Sequence, residues 1–193
     1  MIKSIWTWIG LLSLAIVTTA CGGSSGSGGS DEVMTLIFDG SPVISGSGTT
    51  RGAGNSCGTF LSTGSDPVTI NQIAVLNDMG ADGNVKFLIF NHDSGETRVF
   101  ESAPKSFPVA IDDEITWKNS DPMSFVLEAN TQYDIGGIAD VAARWGLDPT
   151  SRTENGITSI VGNPNFNDFA DPTSSAHAGN ICAIQLFQLQ PES

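Results

Sequence analysis

Short runs of β-branched and aromatic residues, parted by Gly, Asn, Asp and Pro, recur along most of this 193-residue chain. They are MTLIF (34–38), GTFLS (58–62), VTINQIAVL (68–76), NVKFLIF (84–90), TRVFES (97–102), MSFVLEA (123–129), TQYDIGGI (131–138) and NICAIQLFQL (180–189). Several alternate apolar and polar side chains, the period of two expected of a strand with one buried face. In VTINQIAVL, Val68 and Ile70 share a face, and the phase shifts near Gln72 as a β-bulge would make it. Only IADVAARWG, residues 138–146, reads as a short helix, with Gly146 as its stop. Residues 147–180 read as long loops around one strand near 157–161. No internal repeat is evident. The pattern predicts an all-β chain, a jelly-roll-like β-sandwich.

The N-terminus follows different rules. Lys3 is the only charge before Asp31, and the mostly apolar stretch 5–17 has 13 residues. A helix needs roughly 20 to cross a hydrocarbon core, so this stretch fits the h-region of a signal peptide. The sequence VTTAC follows, and it resembles the lipobox of bacterial lipoproteins, with Thr18 where that family prefers Leu. The resemblance implies that residues 1–20 are a signal peptide and that Cys21 becomes the acylated first residue of the mature chain. It also implies sorting to the outer membrane, because Gly22 rather than Asp follows the cysteine. GGSSGSGGS, residues 22–30, is a flexible tether with an r.m.s. span of roughly 15–18 Å. Residues 31–193 are then long enough for one domain with its own core.

Without Lys3 that domain carries 7 Lys+Arg against 21 Asp+Glu, a net charge of −14. Such a balance argues against nucleic acid and against adsorption to anionic lipid; the membrane contact expected is the N-terminal lipid. An exported chain folds under oxidising conditions, so Cys57 and Cys182 are expected to form a disulfide. Two lone cysteines do not make a zinc site, which wants four clustered ligands.

The segment VTINQIAVLNDMGADGNVKFLIFNHDSGETRVFES, with SFVLEANTQYDIGGIAD after a spacer, resembles a β-sandwich domain of unknown function. That domain occurs in exported bacterial surface proteins, including many with PEP-CTERM anchors. The resemblance rests on a strand ending in Asp with a Gly-containing loop (Asn77-Asp78 to Asp82-Gly83). A hairpin carrying Gly (His92-Asp93-Ser94-Gly95) and a Thr-x-Tyr-x-Ile-Gly strand (131–136) complete it. It covers about residues 68–140 and implies a fold and an extracytoplasmic place, not an activity.

Candidate chemistry is sparse. Asn77, Asp78, Asp82 and Asn84 offer hard oxygens, which calcium takes in sets of six to eight. An EF-hand phasing from Asp78 fails, because Ile89 falls at the twelfth position. The leading reading is a hairpin loop whose Asp and Asn satisfy their own backbone, joining two neighbouring strands, with calcium as the alternative. No other cofactor is expected. The Asp112-Asp113-Glu114 cluster reads as a solvated turn. There is no GxSxG, and the two histidines, His92 and His177, both sit in polar loops and read as solvated surface. A pair of carboxylates for glycoside hydrolysis could exist among Glu101, Glu114 and Glu128. Trp145, beside Arg144 and Asp148, could stack on a sugar or instead anchor a loop, and Tyr133 reads as core.

The expectation is a lipid-anchored, non-enzymatic binding or adhesion module whose partner is a glycan or another surface protein. A purely structural envelope protein is the alternative, and a glycan-active hydrolase a distant third.

Overall fold

The computed structural model describes residues 33–41, 48–54, 56–109, 114–148, 150–162, 164–175 and 181–190. The expected signal peptide, Cys21, the tether, Asp112, Asp113 and His177 lie outside the described residues. Everything described is β-strand or loop, as the short alternating runs demand.

Two antiparallel sheets carry the fold. The first has the order β1 (Met34–Asp39), β18 (Ile184–Leu189), β5 (Gln72–Met79), β12 (Ala143–Asp148) and β17 (Ile181–Cys182). In it, β2 (Gly48–Arg51) also pairs with β12, and β9 (Thr116–Asn119) with β5. The second has the order β13 (Thr153–Glu154), β14 (Ile157–Ile160), β3 (Ser56–Thr63), β11 (Gln132–Ala139), β6 (Gly83–Asn91) and β7 (Thr97–Glu101), with β8 (Lys105–Phe107) also on β6. Two small ribbons complete it: β4 (Val68–Ile70) with β10 (Phe125–Leu127), and β15 (Asn165–Asn167) with β16 (Thr173–Ser175).

The sheets pack as a sandwich. Ile73, Val75, Trp145, Ile184 and Leu186 from the first meet Leu61, Val85, Phe87, Ile89, Tyr133 and Ile135 from the second in one buried cluster. The disulfide Cys57–Cys182 stitches β3 to β17 across this interior, with Cα atoms 5.7 Å apart, within the ordinary range for such bridges. Gly137 of β11 faces Val75 of β5, where an added Cβ would lie 3.2 Å from a valine methyl.

The second sheet is also covered on its outer face. Phe166 of β15 stacks on Phe90 at 5.2 Å and forms a separate buried cluster with Leu88 and Ile138. This explains the unbroken apolar run FLIF within VKFLIF. Val85, Phe87 and Ile89 face the main core, and Leu88 and Phe90 face the segment 164–175 laid over the sheet.

Two local expectations change. The phase shift in VTINQIAVL is a break, not a bulge within one strand: β4 belongs to a ribbon and β5 to the first sheet. Asn71 sits between them, donating its Nδ2 to Met123 O and accepting at Oδ1 from Leu189 N. Residues 138–146 form no helix. β11 runs to Ala139, residues 140–142 turn, and β12 begins at Ala143. The spacing of Ile138, Val141 and Trp145 mimics a helical face, but Ala143, Trp145 and Leu147 also alternate. Pairing of β12 with both β5 and β2 decides the outcome.

Candidate functional site

The stretch 77–84 is not a hairpin between neighbours. Asn77 and Asp78 belong to β5, Asn84 belongs to β6, and only Gly80–Asp82 connect them. Because β5 and β6 lie in different sheets, these three residues cross from one sheet to the other at one end of the sandwich. The β11–β12 turn supports the crossing. Gly80 N donates to Ala142 O at 2.9 Å, and Asn84 donates from N and Nδ2 to the two Asp140 carboxylate oxygens, each at 2.7 Å. At Gly83 a Cβ would lie 2.7 Å from Asp140 Oδ1, so only glycine lets that turn close.

Depressions flank the crossing. One, of about 290 Å³, is lined by Thr50, Asp78, Gly80, Ala142, Ala143 and Arg144. Its charges are paired: Arg144 Nη2 lies 3.2 Å from Asp78 Oδ2. The other, of about 460 Å³, is lined by Asp82, Gly83, Asn84, Ser106, Phe107 and Pro108. Here Asp82 Oδ1 accepts from Val109 N and Asn84 Oδ1 from Ser106 Oγ, both at 2.7 Å. Lys105 and Lys118 place their ammonium groups 5.9 and 5.7 Å from the Phe107 ring centroid. Burial lowers the Lys118 pKa, and Asp78 opposes that shift.

The four oxygen donors considered for calcium do not converge. Successive β5 side chains leave opposite faces of the sheet. Asn77 is fully buried and shares its face with Val75 and Met79, whereas Asp78 lines the outer depression with Arg144. Asp82 and Asn84 are engaged by Val109 and Asp140 as described.

Trp145 and Asp148 are also displaced from the expected ligand surface. Trp145 is 1 % exposed, with its ring in the core, so it presents no platform. Asp148 is equally buried, bound to Arg152 Nη2 at 2.6 Å and to Thr150 N at 3.0 Å. The period of two in ARWGLD puts Trp145 on the inward row, and the loop-rich surroundings hid this. Tyr133 is core as expected, its hydroxyl accepting from Glu128 N at 2.9 Å. Of the carboxylates considered for hydrolysis, Glu101 is held by Lys86 at 2.6 Å and Arg98 at 3.2 Å, while Glu114 and Glu128 are exposed.

One grouping was missed. His92, Glu96 and Asp134 each bring one ligating atom within 4.8 Å of the others. Asp134 is 1 % exposed, and His92 Nδ1 stands 3.6 Å from its Oδ1. Burial pushes the Asp134 carboxyl above its usual range, opposed in part by the Ser174 hydroxyl, which donates to Oδ2 at 2.7 Å. The available signal was an aspartate in the middle of the apolar strand QYDIGGIA, where a charge needs a partner.

No protein-family model, no curated protein and no solved structure matches this chain.

Proposed function

We propose that this chain is a lipid-anchored extracytoplasmic binding module of the bacterial cell envelope, held at the outer membrane by Cys21. Its ligand surface is the end of the sandwich around the 80–82 crossing, and its ligand is a glycan or another surface protein. The observation that carries the reading is the pair of open depressions beside that crossing, with Asp82, Asn84, Ser106 and Phe107 along one of them. The Cys57–Cys182 bridge supports an oxidising compartment. The lipobox resemblance and the Gly/Ser stretch support the anchor.

The test has two arms. The purified mature protein is screened on a glycan array beside Ser106→Ala/Phe107→Ala, and binding that weakens at least tenfold in the variant is expected. No binding by the wild type, or binding equal in the variant, moves the assignment to a structural envelope protein. Cys21→Ser is expected to leave the detergent phase in a partition assay; a variant partitioning like wild type refutes the anchor.

A further inference from the structure

We propose that His92, Glu96 and Asp134 bind a divalent transition-metal ion, zinc by the chemistry of the donors. The three come from two separate parts of the chain. His92 follows β6, Glu96 precedes β7, and Asp134 lies within β11. The β6–β7 turn is tied to β11 from both sides: His92 N donates to Gln132 O at 2.9 Å, and Gln132 N to Asp93 Oδ2 at 2.8 Å. The donors are therefore placed by sheet backbone before any ion arrives.

One observation points to a ligand between them. His92 Nδ1 is buried and has no hydrogen-bond partner among the described residues. Its 3.6 Å separation from Asp134 Oδ1 is too long for a hydrogen bond. Zinc–nitrogen and zinc–oxygen bonds of about 2.0–2.2 Å at the tetrahedral angle put neighbouring donors about 3.3–3.5 Å apart. The pair thus stands a few tenths of an ångström outside one edge of a zinc tetrahedron, with Glu96 near enough to supply another donor.

The surroundings fit the same ion. Neither carboxylate has a lysine or arginine partner among the described residues, so two negative charges face one imidazole. The Phe60 ring, 4.4 Å away edge to face, holds the imidazole plane. The Ser174 hydroxyl on Asp134 Oδ2 is the outer hydrogen bond that orients a ligating carboxylate. An imidazole favours zinc and its neighbours over calcium, which prefers oxygen alone. Three protein donors leave a fourth position for water. Seven residues of β6 lie between Asn84 and His92, so eight steps of extended chain, about 26 Å, separate them. The metal site and the crossing therefore fail or stand independently.

The mature protein, stripped with chelator, is titrated with zinc chloride by calorimetry and by thermal melting. One zinc per chain and a rise of several degrees in melting temperature are expected, with no comparable rise from calcium chloride. Asp134→Asn risks the fold, so Glu96→Gln and His92→Gln are the variants to compare. Each should keep the metal-free melting temperature and bind zinc at least tenfold more weakly. No stoichiometric zinc, binding unchanged in both variants, or an equal calcium effect would overturn the proposal.

Discussion

Asn77 and Trp145 stand directly opposite each other in the register of β5 and β12, both buried, and neither finds a partner for its side-chain polar atoms among the described residues. The amide oxygen and nitrogen of Asn77 and the indole N–H of Trp145 are thus buried polar atoms without a hydrogen bond among the described residues. A buried amide without partners carries a desolvation cost of about 1–3 kcal/mol. Asn77→Leu, which keeps the branching and the number of side-chain heavy atoms, is expected to stabilise the fold by about 1–2 kcal/mol. In a domain of this size that is a rise of roughly 2–8 °C in melting temperature. Calorimetry on both proteins checks it, and a lower melting temperature in the variant would show that the amide is satisfied.

The disulfide spans a sequence separation of 125 residues. On the chain-entropy account, a loop of that size restricts the unfolded state by about 5 kcal/mol. Cys57→Ala/Cys182→Ala should lower the urea midpoint accordingly. Alkylation and intact-mass measurement of the unreduced wild type should find neither thiol free.

Acid sensitivity should map in part to Asp39. Burial raises its pKa, but hydrogen bonds from Ser41 and Gln185 and the charge of Arg152 outweigh this, and the net shift is downward from 3.8. The folded state therefore binds the proton less readily than the unfolded chain. The stabilisation is present above the unfolded value and is lost as pH falls through 3.8 toward the folded value. Asp39→Asn is expected to be less stable than wild type at pH 6, with the gap narrowing at pH 3. Urea midpoints at the two pH values read the change, and a gap that widens in acid contradicts the assignment.

Calcium should leave the crossing unaffected. Asp78 is committed to Arg144 and Asp82 to the Val109 amide. A real site at a hundred times its dissociation constant would add about 2.7 kcal/mol. Millimolar calcium is expected to shift the melting temperature of wild type and Asp78→Ala/Asp82→Ala equally. A rise confined to wild type would restore the loop as a cation site.

What the sequence disclosed was local. Alternation in FLS, TIN and QLFQL marks strands because a half-buried sheet face imposes a period of two on the chain itself. Partnership is not local. Nothing in IAVL and VKFLIF says that they enter opposite sheets, because both are apolar whichever neighbour they take. Trp145 beside Arg144 and Asp148 reads as surface until β5 and β2 are known to flank its strand. His92 and Asp134 illustrate the same limit from the other side. Each is an ordinary polar residue in its own segment, and only the pairing of β6 with β11 makes them neighbours.

The position of β18 sets a schedule for the molecule. This late strand is an interior member of its sheet, lying between β1 and β5. A ribosome releases β1 and β5 long before it releases β18. Until then the two earlier strands have a missing plank between them, with unpaired edges able to recruit another chain. This sheet therefore cannot close until β18 is available. A chain cut before β18 would leave an aggregation-prone body rather than a slightly shortened one.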